Sequence, residues 1–268
     1  MFEAERQIFQ ATAEEYRTYV ADRFSKEDFT EFNEVLFSAH SCAIEGNSFS
    51  VDETRALKEH GLGMIPHNKP LVEAFEMLDH FAAYEEMVKT VDVPMTELYV
   101  KHLHYLLAEH TIAYRHQGAK PGEYTDTDMC AGDTLFGDNE VLLQQVPRLL
   151  DATERQYAEG RIPIVELAAV FHGYFEHLHP FRDGNGRLGR LLVNKLLLRA
   201  GCPLLIIEKS QRDEYINALK LFRKESKEFL IAFFYKTLTE RMQREIDDKH
   251  NATQNFRKGW EGDIYKEY

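Results

Sequence analysis

The sequence predicts an all-α fold that contains one short β-hairpin, and three observations lead to this prediction. Apolar residues recur every three or four positions through most of the 268-residue chain, which is the period of an amphipathic helix. Proline, glycine and capping residues separate these stretches at typical helix boundaries. Only the segment 111–137 is dominated by turn-forming residues. With 44% hydrophobic residues the chain can bury a substantial core, and we expect one compact unit.

The N-terminal part is predicted to contain three helices. The first covers 3–24, and the second opens with a capping box at Ser25 and runs into Gly46, which suits a left-handed C-terminal cap. A second capping box, at Ser50, opens a short helix that ends near His60.

The same periodicity predicts the later helices. They cover about 70–88, 94–106, 141–159, 163–178, 187–200, 212–222 and 229–238. His102 and His104 point apart on their helix, so we interpret them as packing or surface residues rather than metal ligands. After residue 238 the chain is charged, and both a docked terminal helix and a partly ordered end are left open. We divide the chain into an N-terminal helical region (1–95), a core (96–225) and a C-terminal helix and tail (226–268).

Composition argues against several classes of protein. The net charge of -13, with no basic run longer than two residues, argues against a general nucleic-acid binder. Cys42, Cys130 and Cys202 are odd in number and widely spaced, as in proteins of the reducing cytosol. The first residues lack the pattern of a secretion signal, and no stretch reaches the ~20 apolar residues that cross a membrane. We expect a cytoplasmic protein without nucleic-acid or membrane partners, and leave a homo-oligomer open.

The segment 179–190, between two predicted helices, contains the most chemistry. Pro180 stops the first helix just past His179. Gly184 and Gly186 can take positive φ without steric cost, so the backbone N–H groups of the loop can turn together toward an anion. The next helix adds the positive end of its dipole. This pattern predicts a phosphate-binding loop.

Charged side chains of the loop favour the same interpretation. Arg187 and Arg190 are three apart on a helix, so both can point to one side and grip phosphate oxygens. Asp183 would repel a bare phosphate, but it can hold a divalent cation against one. His179 can be neutral at cytosolic pH and take a proton from an attacking hydroxyl. The simpler alternative is an ordinary turn with a capping aspartate and surface arginines.

The segment resembles the signature of the Fic (filamentation induced by cAMP) family, His-x-Phe-x-Asp/Glu-Gly-Asn-Gly-Arg-x-x-Arg. The matching positions are His179, Phe181, Asp183, Gly184, Asn185, Gly186, Arg187 and Arg190. The resemblance covers about residues 36–225 and implies a Fic-type helical core. It also implies a protein adenylyltransferase, an enzyme that transfers AMP from ATP to a Ser, Thr or Tyr hydroxyl of a protein.

The resemblance further implies a role for each residue of the site. His179 would be the general base, Asp183 would hold Mg²⁺, and Phe181 would be buried to anchor the loop. Asn185 and the loop amides would bind the α-phosphate, the arginines would bind the outer phosphates, and Tyr215 would lie near the adenosine. The implied nucleotide-binding residues are Asp183, Gly184, Asn185, Gly186, Arg187, Leu188, Gly189, Arg190 and Tyr215.

A second stretch resembles the inhibitory-helix motif of the family, Ser/Thr-x-x-x-Glu-Gly/Asn. Ser41, Glu45 and Gly46 match it, and the first two share a helix face. The helix, at about 33–46, precedes the core, as in the family's class II. The resemblance implies that Glu45 reaches Arg190 and prevents productive binding of ATP.

The segment 111–137 corresponds in position to the Fic flap, a hairpin on which the protein target docks by strand addition. The resemblance therefore implies a target-docking site near Tyr124 to Gly132. The chain departs from the family pattern at Thr125, where an arginine often follows the tyrosine, and at Arg223, where a polar amide is common.

Other functions are left open. One alternative is that Glu45 activates a water that removes AMP from a modified protein. Two others are transfer of another nucleotide, such as UMP, and sensing of ATP without turnover. A metallohydrolase that uses His172, His177, His179 and Asp183 is disfavoured, because the first two do not share a helix face.

Overall fold

A computed structural model describes residues 2–20, 26–131, 134–135 and 139–264, with side chains in 2–20, 33–63, 65–129 and 141–251. Within these residues the fold is helical, as predicted. The helices are α1 (Glu3–Tyr19), α2 (Lys26–Ile44), α3 (Val51–His60), α4 (Leu71–Lys89), α5 (Glu97–Ala108), α6 (Ile112–Arg115), α7 (Asn139–Glu159), α8 (Ile164–Leu178), α9 (Asn185–Arg199), α10 (Arg212–Lys224) and α11 (Glu228–Ile264).

The helices α8 and α9 pack against each other at the centre of the fold. Phe171 and Phe175 of α8 and Leu188, Leu192 and Leu196 of α9 are fully buried. Each such side chain stabilises the fold by roughly 1.5–3 kcal/mol. Helices α2, α4 and α5 pack on α9, and α7, α10 and α11 pack on α8. The turn between α8 and α9 is therefore held firmly at both ends.

Local signals predicted the end of α2 and the start of α3 correctly, whereas α1 ends at Tyr19 instead of extending toward the predicted residue 24. Gly46, just after α2, has a φ of 104°, which glycine adopts without strain. The predicted capping box is present at the start of α3, where the Ser50 side chain accepts from the Glu53 N–H and the Glu53 carboxylate accepts from the Ser50 N–H. The box predicted at Ser25 lies outside the described residues.

The C-terminal helix is longer than predicted. Instead of ending at residue 238, α11 runs from Glu228 to Ile264. Leu238, Met242 and Ile246 are buried at a spacing of four, so an apolar face continues through the charged sequence and α1 packs along α11. The division of the chain at 95 and 225 stays a prediction.

The turn-rich segment contains one short helix, α6, that the sequence analysis missed. Two two-residue strands, β1 (Cys130–Ala131) and β2 (Thr134–Leu135), pair antiparallel. The N–H of Thr125 donates to the Pro180 carbonyl at 2.8 Å, which ties this segment to the 179–190 loop. In the part of the chain that the structure describes, no helix has the length and apolar character needed to span a membrane.

Candidate active site

His179 and Gly184 shape the turn that joins α8 to α9. His179 ends α8 with a φ of 48°, and its N–H donates to the Phe175 carbonyl at 2.9 Å. Gly184, with a φ of 79°, precedes α9, which begins at Asn185 rather than at the predicted Arg187. The N-terminal end of α9 therefore faces the turn with unpaired N–H groups, as an anion site requires.

An aromatic stack closes the underside of the loop. Phe181 is fully buried, as expected of an anchor, and its ring centroid lies 3.7 Å from that of His104. The Gly122 N–H donates to His104 Nδ1 at 2.8 Å, so His104 Nε2 carries the proton and donates to the Asp183 carbonyl at 3.0 Å. Burial lowers the pKa of His104 to about 4, which keeps the ring neutral. His104 thus packs, as predicted, and also holds the loop, whereas the His102 side chain is exposed.

Asn185 closes the loop on itself. Its Oδ1 accepts from the Phe181 N–H at 2.9 Å, and its Nδ2 donates to the Phe181 carbonyl at 2.7 Å. Both ends of the buried amide are therefore occupied by the backbone of the loop. The Asn185 side chain therefore closes the loop, and its predicted phosphate contact stays a prediction.

Arg187 points beneath the loop, away from the cavity described below. Its Nη1 lies 2.5 Å from Glu76 Oε1 of α4, and its Nη2 lies 3.3 Å from Asp183 Oδ1. Arg115 and Asn47 also donate to the Glu76 carboxylate, each at 2.8 Å. Glu76, which the sequence analysis missed, thus joins four segments in one buried network. These carboxylates hold the Arg187 guanidinium, and its predicted phosphate contact stays a prediction.

Leu188 and Gly189 both pack between α8 and α9, and their predicted nucleotide contact stays a prediction. Leu188 lies in the core between α8 and α9. A Cβ on Gly189 would lie 2.7 Å from Glu176 Oε1 and 2.9 Å from His172 Cε1, both on α8. A side chain at this position would push the two helices apart.

Arg190 is the arginine that meets the end of α2. Its Nη2 donates to Glu45 Oε1 and to the Ser41 carbonyl, both at 2.8 Å, and its Nε donates to Ser41 Oγ at 3.1 Å. Burial by itself would raise the pKa of Glu45, but the charge and hydrogen bond of Arg190 lower it, so this carboxylate is ionised at neutral pH. The predicted contact between Glu45 and Arg190 is present.

Gly186 lets Glu45 approach the loop closely. A Cβ at Gly186 would overlap the Glu45 carboxylate, so the contact requires a glycine here. Arg212, at the start of α10, donates from Nε to the Ile44 carbonyl at 2.8 Å and holds the end of α2. Glu45 therefore lies directly against the N-terminal turn of α9.

A cavity of about 450 Å³ lies between the loop, the end of α2 and α10, and both Glu45 and His179 line it. Ligand sites for nucleotide-sized molecules have this order of volume. Tyr215, predicted near the adenosine, is buried in its wall, and its OH and His172 Nε2 are 2.6 Å apart. Basic and apolar side chains line the cavity from α9 and α10: Arg190, Arg212, Lys220, Arg223, Ile216 and Leu219.

The sequence analysis missed most of the α10 wall. Arg212, Ile216, Lys220 and Arg223 follow one another at intervals of four, four and three, which places them on one helix face. This periodicity was the available signal. It also missed Glu176, whose Oε2 lies 3.9 Å from His179 Nδ1.

Asp183, the predicted metal ligand, is held by donors on one side. Its Oδ1 accepts from the Gly184 N–H at 2.6 Å, while Oδ2 has longer contacts, 3.5 Å to Arg115 and 3.7 Å to His116. Burial by itself would raise the pKa of Asp183, but Arg187 and the Gly184 N–H lower it, so the carboxylate is ionised. The less constrained Oδ2 fits Mg²⁺ coordination by one carboxylate together with substrate phosphates.

No such fit exists for the metallohydrolase alternative. Among the side chains that the structure describes, no three His, Cys, Asp or Glu residues converge on a common point. His172 is buried against Tyr215, and His177 is exposed. These histidines therefore provide no ligand set.

Comparison with known proteins agrees with this geometry. Residues 94–197 match the model of the Fic/DOC family. "Protein adenylyltransferase Fic" from Drosophila melanogaster is 32% identical over 189 residues, which are 68% of this chain and 36% of that protein. The protein of the same name from Drosophila willistoni is 33% identical over 189 residues, which are 68% of this chain and 35% of that protein. This chain therefore spans about a third of the length of these curated relatives.

Solved structures show the same fold. A Fic domain containing signaling protein from Bacteroides thetaiotaomicron has a TM-score of 0.80 at 22% identity, over 91% of this chain and 97% of that one. Fic-1 from C. elegans has a TM-score of 0.72 at 21% identity, over 93% of this chain and 74% of that one. The family match, the relatives and the helix-loop-helix geometry around His179 together identify this chain as a member of the Fic/DOC family.

Proposed function

We propose that this chain is a protein adenylyltransferase that moves AMP from ATP to a Ser, Thr or Tyr hydroxyl of a protein, and that Glu45 inhibits it. One observation carries the proposal: Glu45 bonds the Arg190 guanidinium inside a cavity that also contains His179. A guanidinium fork suited to two phosphate oxygens is thus held by a carboxylate. The curated relatives are named protein adenylyltransferases, which supports the same activity.

The cavity suits ATP in one orientation. The start of α9, at Asn185 and Gly186, would offer backbone N–H groups and the positive end of a helix dipole to the α-phosphate. Arg190 would bind the outer phosphates once Glu45 has left. The adenosine would lie along α10, where Tyr215 and apolar side chains line the cavity.

His179 would start the reaction by taking the proton of the target hydroxyl on Nε2. Burial and then the charge of Arg223 lower the pKa of His179 to about 4, so the ring is neutral and able to accept. The target oxygen forms a bond to the α-phosphorus, the bond from that phosphorus to the bridging oxygen breaks, and pyrophosphate leaves with the electron pair. Mg²⁺ held by Asp183 and the phosphates would supply positive charge for the leaving group.

Inhibition follows from competition for one binding position. The Glu45 carboxylate and a terminal phosphate would both need Arg190, and the two anions repel each other at such short range. Because a Cβ on Gly186 would already overlap Glu45, a phosphate oxygen has no room there either. ATP can therefore adopt a productive pose only when the end of α2 moves or its carboxylate is removed.

The segment 124–132 is proposed to dock the protein target. The Thr125 N–H bonds the Pro180 carbonyl at 2.8 Å, and Arg182 Nη1 donates to Thr127 Oγ1 at 2.8 Å, so Thr125 and Thr127 lie against the loop after α8. Gly132, the predicted end of the docking site, lies outside the described residues. A target strand added to this segment would bring its hydroxyl near His179. A cytoplasmic location and a homo-oligomer stay predictions.

Replacing Glu45 with Gly is expected to raise AMP transfer from labelled ATP by about 10- to 100-fold, the range of typical coupling free energies. The added substitution His179→Ala should lower transfer about 10²- to 10⁴-fold, the usual contribution of a general base. Incubation with cell lysate, followed by mass spectrometry, measures both rates and identifies the acceptor residue.

Glu109→Gly is the matched control. Glu109 also directly follows a helix, α5, but it is exposed and bonds Tyr105 instead of Arg190. It should leave transfer unchanged. Transfer that does not rise in Glu45→Gly would contradict the inhibitory role, and transfer that survives His179→Ala would contradict the chemistry.

A second candidate is removal of AMP from a modified protein, favoured by the ionised Glu45 carboxylate that faces the His179 cavity and can activate a water. Release of AMP from an AMP-modified protein by the native chain with Mg²⁺ would support it. Tight ATP binding by Glu45→Gly without any transfer would instead favour a non-catalytic ATP sensor.

A further inference from the structure

Glu176 is a buried carboxyl that the reaction above does not use. It lies on α8, one helical turn before His179, and only 6% of it is exposed. Its Oε1 has no hydrogen-bond partner among the residues that the structure describes. A buried polar atom left in this state costs about 1–3 kcal/mol, which indicates a requirement other than stability.

The opposite helix leaves room for this carboxyl. Gly189 of α9 presents no side chain where Glu176 lies, and a Cβ there would approach Oε1 to 2.7 Å. The carboxyl can therefore stay on the cavity wall that it shares with His179.

Glu176 lies close to one specific nitrogen of the catalytic ring. Its Oε2 is 3.9 Å from His179 Nδ1, about 1 Å beyond hydrogen-bond distance, and residues three apart share a helix face. An imidazole that carries its proton on Nδ1 has its lone pair on Nε2. A carboxylate on the Nδ1 side therefore leaves Nε2 as the nitrogen that accepts a proton from a substrate.

The ring requires an anionic neighbour because it becomes positively charged during the reaction. Burial and then Arg223 lower the pKa of His179 to about 4, and the opposing influence of Glu45, of a hydrogen bond with the Glu176 backbone and of Asp183 does not offset them. ATP binding would remove Glu45, one of the nearby anions. The charged groups around the pair are Glu45 from α2, Asp183 from the loop, Arg190 from α9, and Arg212, Lys220 and Arg223 from α10.

Glu176 changes its charge near neutral pH. Burial raises the pKa of Glu176 to about 7, with Arg190 opposing and Glu45 adding to the rise. The carboxyl is thus neutral in mild acid and charged in mild alkali. Only the charged form stabilises an imidazolium beside it.

We propose that Glu176 is a positioning residue for His179. Its carboxylate binds the Nδ1 side of the ring, directs Nε2 toward the target hydroxyl, and stabilises the imidazolium formed when the hydroxyl proton reaches Nε2. Glu176 takes no proton and no other reactant is needed, in the way that the aspartate of a serine protease acts on its histidine. The inference rests on the proposed function for the reaction, but the contact itself can be tested without ATP.

Carbethoxylation of the ring tests the contact directly. Diethyl pyrocarbonate reacts with an unprotonated imidazole nitrogen, and the Glu45→Gly chain has an open cavity mouth. The rate at His179, followed by mass spectrometry of digested protein, should rise several-fold as pH increases from mild acid to mild alkali and Glu176 ionises. Adding Glu176→Gln should abolish that rise. The same pH dependence with and without Glu176→Gln would overturn the proposal.

Glu166→Gln is the matched control for this experiment. Glu166 is on the same helix, but it bonds Arg6 and Tyr235 outside the cavity. This variant should keep the full pH-dependent rise. Glu176→Asp, which keeps the charge on a shorter side chain, should restore part of it, and also serves if the Gln variant unfolds.

Transfer kinetics in the Glu45→Gly background separate the two proposals. Glu176→Gln should lower kcat about 10-fold or more, while KM for ATP stays within about twofold, because the carboxylate acts on the base and not on the nucleotide. If Glu45→Gly transfers no AMP, the proposed function fails, and carbethoxylation still decides the role of Glu176. An unchanged kcat in an active Glu176→Gln variant would refute that role.

Discussion

Arg187 and Arg190 lie three residues apart on α9, belong to the same motif and have different partners. Arg187 is held by Glu76, and both side chains are almost completely buried, at 1% and 2% exposure. Arg190 is held by Glu45, which is 37% exposed. The two arginines therefore differ in the burial of their partner carboxylates, although they belong to one motif. The buried pair of Arg187 and Glu76 joins two helices of the fold, whereas the proposed function assigns phosphate binding to Arg190, whose partner Glu45 is accessible.

Arg187→Ala should have the largest effect, a loss in the free energy of unfolding. It leaves the buried Glu76 carboxylate without its nearest cation, and removing one member of a buried ion pair costs about 3–5 kcal/mol. Denaturant unfolding of the variant and the parent measures the loss. Arg190→Ala should cost less than half as much, because water can reach Glu45. Equal losses would show that both arginines are structural.

Arg190→Lys in the Glu45→Gly background tests the proposed binding of phosphate by Arg190. Lysine keeps the charge but loses the planar fork that binds two phosphate oxygens. We expect kcat/KM for ATP to fall about 10- to 100-fold, equivalent to about 1.4–2.7 kcal/mol. Initial rates at varied ATP concentration test this, with unfolding curves as the control for folding. An unchanged kcat/KM would exclude Arg190 from phosphate binding.

Ser41→Ala should give the smallest effect. It removes the Oγ that accepts from Arg190 Nε at 3.1 Å, while the Ser41 carbonyl still accepts from Nη2. Loss of one such hydrogen bond is worth about 0.5–1.5 kcal/mol, so basal transfer should rise by about 2- to 10-fold. Labelling assays should show no further rise when Ser41→Ala is added to Glu45→Gly. A rise in that background would mean that Ser41 restrains the enzyme independently of Glu45.

The features predicted correctly are those that depend on residues close together in the sequence. Helical periodicity and the capping box at Ser50 depend on residues within a few positions, and the structure contains both. The Glu45 contact with Arg190 came from resemblance, since 145 positions separate the two residues. Gly184 has the positive φ that the sequence analysis allowed for it, whereas Gly186 does not and lies in the first turn of α9.

The contacts that were not predicted depend on residues distant in the sequence or on the exact geometry of a turn. No sequence feature near Arg187 identifies Glu76 as its ion-pair partner, because Glu76 lies more than one hundred positions earlier on another helix. The Asn185 side chain could face an anion or its own loop, and in the structure it forms hydrogen bonds with the Phe181 backbone. The continuation of α11 past residue 238 depended on packing against α1, which the charged composition concealed.

The left-handed backbone at His179 has a cost in conformational free energy. Among the described residues it is the only one other than glycine with a positive φ, and this conformation costs an L-residue about 1–2 kcal/mol. Glycine would adopt it freely. Among the described residues, this backbone strain therefore falls on the residue for which we propose a catalytic role, and His179→Gly would relieve it while removing the imidazole.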